Sequence, residues 1–344
     1  VIWNQLLFFF FPILIGTFFQ QLYNTVDTVI VGQFAGKEAL SSVGGSSSQI
    51  INMVVGFFTG LTAGGTVLIS QAYGASHRQR MEEALHTSYA FGILGGIGLG
   101  ILGVAAAPAI LRAMNTPVEL MAMSTLYIRI YFSGLVFVFI YNMGAAVLRA
   151  IGDSKSPLYY LVVCCMVNIV LDLILVLYCG LGVLGVAVAT LVSQAISAGM
   201  VTWTLMHKVD CMTLSFRKIR IHREVLVNML QIGFPSGLQA SMYSISNMIV
   251  QAALNLLGVD TMAAWTAYGK IDSVFWMINS SFGIALTTFV GQNFGAGKWE
   301  RVKKGTRVCL GMAVGTAVCL TAVLMTAGRF LLGIFTGDAA VVEI

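Results

Sequence analysis

Residues 71–80 read Gln-Ala-Tyr-Gly-Ala-Ser-His-Arg-Gln-Arg, and residues 292–301 read Gln-Asn-Phe-Gly-Ala-Gly-Lys-Trp-Glu-Arg. Gln71, Gly74, Ala75 and Arg80 thus recur as Gln292, Gly295, Ala296 and Arg301, and Pro12 recurs as Pro235, at an offset of 221 to 223 residues throughout. Self-similarity at one fixed spacing marks a chain built from two copies of one unit. Each copy of the motif closes an even-numbered apolar run. An even number of membrane spans returns the chain to the side it started from, so the copies are parallel, related by an axis along the membrane normal.

The surroundings of the motif are apolar. Of 344 residues, 58% are hydrophobic and only 10% charged, with a mean hydropathy of +0.87. Soluble domains carry about 25% charged residues, and one water-surrounded core of this size cannot hide so much apolar surface. The surplus faces lipid, which makes the chain an all-α polytopic membrane protein. Nine runs are long enough to cross about 30 Å of hydrocarbon. They cover residues 3–33, 40–73, 84–113, 118–149, 157–179, 183–206, 226–257, 262–292 and 305–335. Residues 1–207 form an N-lobe of six spans, 208–224 a cytoplasmic inter-lobe linker, and 225–344 the first three spans of a second six-helix-type lobe. By this count three further spans are missing at the end. The start at Val1, inside an apolar run without a basic leader, reads as a fragment and not as a cleavable signal peptide.

Pro12 removes a backbone donor inside the first span and predicts a kink there. Pro117 and Pro157 suit first turns of helices, with Thr116 and Ser156 as candidate caps. Gly92, Gly96 and Gly100 form successive GxxxG steps that allow close helix approach.

Charge gives the orientation. Fourteen of the 19 Lys and Arg fall on one side, in loops at Arg78 and Arg80, Arg149 and Lys155, Lys208 through Arg223, and Lys298 through Arg307. By the positive-inside rule that side, with the N-terminus, is cytoplasmic, as in a multi-pass protein of the inner (plasma) membrane. The net charge of +5 is therefore a topology signal and does not call for nucleic acid. The cysteines fall mostly in or at the ends of apolar runs without CxxC spacing, and His77, His86, His207 and His222 never pair at metal-ligand spacing. The linker asks for no role beyond topology near anionic headgroups.

Carboxylates within spans are the informative exceptions, because ionised groups in hydrocarbon are costly. Asp27 lies in the first span and Asp172 in the fifth, with Asn168 one helical turn before Asp172 on the same face. Counted from the outer ends of their spans, these residues, Thr190 of the sixth and Tyr127 of the fourth stand at nearly one depth. Two carboxylates, an amide and a hydroxyl make a hard oxygen environment suited to Na⁺ or to an exchangeable proton. Lys270 and Asp272 are two residues apart and share no helical face; a snorkelling charge explains them as well as a functional one. In the second lobe Met242, Tyr243, Trp265, Tyr268 and Trp276 form a weaker candidate for a substrate wall, since aromatic and Met-rich surfaces accept varied amphipathic cations. Packing and interfacial belts explain them equally.

Three features resemble the multidrug and toxic compound extrusion (MATE) family: Pro12 with Gln21-Leu-Tyr23-Asn-Thr-Val-Asp27, the pair Asn168-x-x-x-Asp172, and the two Gln-x-x-Gly-Ala motifs. The resemblance runs along essentially the whole chain, through about the ninth of the family's twelve helices. It implies, as in DinF-like members, an N-lobe cation-coupling network of Asp27, Asn168, Asp172 and Thr190, with Tyr23 and Tyr127 beside it and Pro12 as the hinge. The NorM-like branch has an acidic residue in its seventh helix, whereas Gln231 through Leu257 contains none.

The function expected is Na⁺- or H⁺-coupled antiport of small organic, cationic or amphipathic compounds by rocking between outward- and inward-facing states, by a monomer with no cofactor beyond the coupling ion. Lipid-linked oligosaccharide flipping is the alternative within the same superfamily. It would want a basic cavity for pyrophosphate, and few cations lie within the spans. An integral-membrane enzyme fits worst: no phosphate loop, Walker motif, Ser/His/Asp set or HExxH occurs.

Overall fold

The computed structural model describes residues 2–254 and 259–335, with side chains at 251, 252, 254, 259–264, 266, 267, 270 and 329–335 outside the description. Eleven α-helices follow in order, and no strand occurs among the described residues. They are α1 (Ile2–Ile30), α2 (Lys37–Gly44), α3 (Ser46–Gly74), α4 (Arg78–Ala113), α5 (Val118–Ser133), α6 (Leu135–Ala150), α7 (Lys155–Asp172), α8 (Gly182–His207), α9 (Arg223–Leu254), α10 (Val259–Gly295) and α11 (Trp299–Phe335). Wide π-helical turns continue α1 over Val31–Ala35 and α7 over Leu173–Tyr178.

Seven spans are long and apolar enough to cross a membrane among the described residues, or eight when the bent pair α5–α6 counts as one. This differs from the nine runs in instructive places. The second run is two helices, α2 and α3, meeting at Gly45. The fourth breaks at Gly134 into α5 and α6, bent by 47°. The seventh, α9, is 32 residues long but too polar to pass on hydropathy, because Gln231, Ser236, Gln239, Ser244 and Asn247 interrupt it. A helix that lays one face on a neighbouring helix needs less apolar surface towards lipid.

The helix ends also correct the candidate caps. Asp153, not Ser156, caps α7: its Oδ1 accepts from the backbone N–H of Lys155 at 3.1 Å and of Ser156 at 3.0 Å. Thr116 caps nothing, and its Oγ1 is buried without a partner. Helix α1 continues unbroken through Pro12, as α9 does through Pro235. The glycines of α4 do what their spacing predicts: Gly96 lies on Val136 and Gly100 on the Phe132 carbonyl, so α4 packs closely on α5 and α6.

Helices α1 and α3–α8 pack as one lobe around two buried apolar clusters, one centred on Phe58, Leu135 and Phe139 and one on Leu85, Tyr89 and Leu148. Helices α9–α11 form a second group, joined to the first where α3 meets α9 and α10 and where α1 meets α10. Long apolar side chains such as Phe8, Ile101 and Leu310 remain exposed, as lipid contact requires. The basic loops gather at one end: Lys218 lies 3.8 Å from Glu82 at the start of α4, and Gln292 Nε2 donates to the Ala150 carbonyl at 2.8 Å.

The linker does more than report topology. Ser215 N–H donates to His86 Nε2 at 3.1 Å, His222 N–H donates to Thr87 Oγ1 at 3.1 Å, and Met212 and Leu214 are buried. His86 Nδ1 lies 2.7 Å from the Glu82 carbonyl. The ring is thus a neutral tautomer, donating through Nδ1 and accepting through Nε2.

The repeat is visible in backbone detail. After Gly74, His77 N–H donates to the Ala72 carbonyl at 2.9 Å; after Gly295, Lys298 N–H donates to the Asn293 carbonyl at 2.8 Å. Both closures place a left-handed residue at the same register, Ser76 (φ 54°) and Gly297 (φ 68°). This hydrogen bond with a left-handed residue is how α-helices commonly end.

Candidate functional site

Asp27 sits one turn before the π-turn that ends α1, and Asp172 is the last residue of α7 before its own π-turn. The 3.6-residue period carries Tyr23 onto the Asp27 face and Asn168 onto the Asp172 face. Helix α8 brings Thr190 to the same place and α5 brings Tyr127. All six are buried, with Asn168 and Asp172 fully so. Asp27 lies against Asp172 and Thr190, while Tyr127 lies within electrostatic reach of both aspartates. Asp27, Asp172, Thr190 and the two tyrosines, from four helices, therefore gather inside the first lobe, with Asn168 one turn before Asp172 on α7.

The cluster is under-satisfied in hydrogen bonds. With both carboxyls ionised, Asp27 Oδ1, both Asp172 oxygens, both Asn168 amide atoms and Thr190 Oγ1 are buried without a well-formed hydrogen bond, although Asp27 stands within hydrogen-bonding reach of Asp172 and Thr190. Neither aspartate forms an ion pair among the described residues. Buried polar groups are normally paired, so a group of orphans at one point marks a place built for something other than packing. The described residues hold no set of three His, Cys, Asp or Glu suited to a transition metal. The donors are instead hard oxygens, the class that suits an alkali cation or a proton.

Several neighbours escape a reading of the sequence. Tyr131, one turn after Tyr127, lies near Tyr23 and Tyr127. Gln194 Nε2 donates to Tyr23 Oη at 3.4 Å. Gln194 lies one turn after Thr190 on α8, so the helical period could have found it. The two π-turns could not be found that way: Val31–Ala35 and Leu173–Tyr178 share no distinctive composition, and π-turns concentrate at functional sites without one.

The aromatic candidates of the second lobe fall in two pairs. Tyr243 and Trp276 pair across α9 and α10 with ring centroids 4.7 Å apart, and Trp265 pairs with Tyr268 at 5.5 Å. Trp265 lines a cavity of about 260 Å³ with Gln49 and Asn52 of α3 and with Ser244, Asn247 and Met248 of α9. That cavity lies between the lobes at the end away from the basic loops. Met242 is exposed and lines none of it. Asp272 is half-buried, and the Lys270 side chain lies outside the described residues.

Comparison with known proteins agrees with this architecture. The MatE family model matches residues 12–174 and 235–344, one match in each half. The probable multidrug resistance protein YoeA of Bacillus subtilis is 30% identical over 315 residues, covering 89% of this chain and 68% of its own length. The multidrug export protein MepA of Staphylococcus saprophyticus is 24% identical over 348 residues, covering 99% of this chain and 75% of its own length. A MOP superfamily transporter from Pyrococcus furiosus superposes with a TM-score of 0.91 at 24% identity, over 99% of this chain and 76% of that one, which shows a shared fold. With the duplicated helical lobes, the two motif copies and a family match in each half, the chain belongs to the MatE family of multidrug efflux transporters, multi-pass proteins of the membrane.

Proposed function

We propose that this protein is a secondary active antiporter that exports small organic, cationic or amphipathic compounds in exchange for inward flow of Na⁺ or H⁺. The observation that carries the reading is the set of orphaned oxygens at Asp27, Asn168, Asp172 and Thr190. Two carboxylates side by side in a low dielectric cannot both remain charged without a partner. Na⁺ or a proton shared between Asp27 and Asp172 supplies it, with Asn168 and Thr190 completing the oxygen shell and Tyr23 and Tyr127 closing the site. The ion is cargo, and the protein needs no further cofactor. The basic end is the cytoplasmic face, so the N-terminus is cytoplasmic and the host membrane is the inner membrane.

The lobes meet by close backbone contact toward the basic end and leave the Trp265 cavity open between them at the other, an arrangement that suits an outward-facing state. Rocking about this contact, with α1 bending at Pro12, couples ion release to substrate exchange. A ligand can bias such an equilibrium only through unequal affinity for the two states, and an oxygen shell that is complete in one state alone provides that inequality. In this reading one monomer carries both lobes and the path between them and transports without catalysis.

The test is export by the full-length protein in proteoliposomes under separately imposed Na⁺ and proton gradients. The expected result is gradient-driven export that falls by about a hundredfold or more in Asp27→Asn and Asp172→Asn, about 2.8 kcal/mol by the tenfold-per-1.4 rule. The gradient that drives the parent protein identifies the ion. Unchanged gradient-driven export by Asp27→Asn would falsify the coupling assignment.

A further inference from the structure

The two motif copies are each flanked by a crevice at the basic end, and the repeat relates the crevices. One, of about 490 Å³, is lined by Gln71, Ala75, Arg80 and Asn228. The other, of about 750 Å³, is lined by Gln292, Ala296, Arg301 and Gln5, the residues 221 to 223 positions away. Their charges differ. The smaller crevice sets two carboxylates, Glu83 and Glu224, beside Arg80. The larger one presents Arg78, Lys298 and Arg301 and is lined by no carboxylate.

Arg301 is organised without being neutralised. Its Nε donates to Asn293 Oδ1 at 2.8 Å and its Nη2 to Gln5 Oε1 at 3.0 Å, while the guanidinium lies over the Phe289 ring, 5.8 Å from its centroid. Both acceptors are uncharged amides. Lys298 Nζ has no acceptor among the described residues, and Arg78 shares Glu82, at 3.4 Å, with Lys218. The same crevice contains Thr288, whose Oγ1 is buried without a hydrogen-bond partner. A fixed guanidinium, a free ammonium and an unpaired hydroxyl offer the donors that a phosphate accepts from. Leu6, Phe9 and Phe289 supply an apolar wall beside them.

The geometry points to a binding site for a phosphate group in this crevice, held by Arg301, Lys298 and Thr288, with an anionic phospholipid headgroup as its ligand. The apolar wall favours the lipid source over a soluble phosphate. Because Arg301 on α11 already reaches Gln5 on α1, an anion bound there ties the two lobes together at the basic face. Basic pockets between transmembrane helices bind anionic headgroups in this way.

The test is the thermal-unfolding midpoint of the full-length protein in detergent, titrated at fixed ionic strength with short-chain phosphatidylglycerol, short-chain phosphatidylcholine or inorganic phosphate. Phosphatidylglycerol should raise the midpoint and phosphatidylcholine should not. The half-saturating concentration should rise about fivefold in Arg301→Gln and in Lys298→Gln, the loss expected for one cationic contact. Thr288→Val, which keeps every charge, should weaken it two- to fivefold. Arg80→Gln in the sister crevice and Lys303→Gln outside both should leave it unchanged. A shift by inorganic phosphate that disappears in Lys298→Gln keeps the site and makes solution its source. No shift with either anion, or equal loss in Lys303→Gln, overturns the proposal.

Discussion

Of the seams that join the lobes, two are counterparts by the repeat, and they are built from different material. Where α3 meets α9, backbone lies on backbone. A Cβ added at Gly64 would fall on the Met229 carbonyl, one at Gly233 on Leu61, and one at Gly60 on the backbone of Gly237. Offsets of 221 and 223 carry Gly60, Gly64, Gly233 and Gly237 onto Ser281, Ala285, Phe10 and Leu14. There side chains fill the space. Phe10 stacks on Phe282 with centroids 4.2 Å apart, and Leu6, Ile13 and Ala285 are buried around them.

The difference has mechanical content. Backbone contacts have no rotamers to change, so the glycine seam holds one distance or separates. Rings and branched chains can repack, so the aromatic seam tolerates small rotations. The adaptable seam is also the one that contains Pro12, whose missing N–H leaves a carbonyl of α1 unbonded. Small residues drive helix association in lipid, where the hydrophobic effect between helices is absent. On the proposed rocking motion, the α3–α9 seam would serve as the fixed axis and α1–α10 as the side that gives.

The largest effect that separates the seams is expected from Gly64→Leu. The added side chain meets a carbonyl that cannot move without displacing α9, an overpacking penalty of about 3 kcal/mol or more. The thermal midpoint should fall steeply, and the lobes should part at the basic face. Cys211, which lines the larger crevice and is half-buried, reports that parting as a faster maleimide reaction followed by mass spectrometry. Should Gly64→Leu unfold at the temperature of the parent protein, the glycine seam is not a contact of the backbone.

Phe10→Leu should do less. It keeps an apolar chain in the space and loses the ring pairing, which contributes about 0.5–1.5 kcal/mol beyond area. Its midpoint should drop modestly while Cys211 reactivity rises little, because neighbouring Leu6 and Ile13 can close in. A drop as large as that of Gly64→Leu would show the two seams to be equally rigid.

The seams also show how far the sequence could be read. Apolar runs, loop charges and the motif copies carried the class and the two lobes, because each is a periodic or electrostatic signal local to one segment, and depth counted along the spans set Asp27, Asp172 and Thr190 at one level. The breaks at Gly45 and Gly134 were hidden, since a glycine within an apolar run is compatible with a continuous helix. The Gly60 and Gly237 contact was hidden for another reason: which glycine meets which depends on how two distant helices cross. Gln194 was within reach of the helical period, one turn after Thr190, although its meeting with Tyr23 was not, and Asp153 displaced Ser156 as cap through a local contact, reaching two N–H groups at once.

The smallest effect comes from the motif itself, and it sharpens the comparison most. Gly74 lies on the Gln292 carbonyl and Gly295 on the Gln71 carbonyl, so the two copies interlock reciprocally through their backbones. Their side chains break the symmetry. Gln292 Nε2 donates to the Ala150 carbonyl at 2.8 Å, whereas Gln71 makes no side-chain hydrogen bond among the described residues. One neutral hydrogen bond contributes about 0.5–1.5 kcal/mol. Gln292→Leu should therefore lower the midpoint slightly and raise Cys211 reactivity two- to tenfold, while Gln71→Leu should change neither. Equal effects of the two substitutions would mean that the motif acts through its backbone interlock alone. Unequal effects in the expected order would place the asymmetry of the interlock on the second copy, next to the crevice that carries the uncompensated charge.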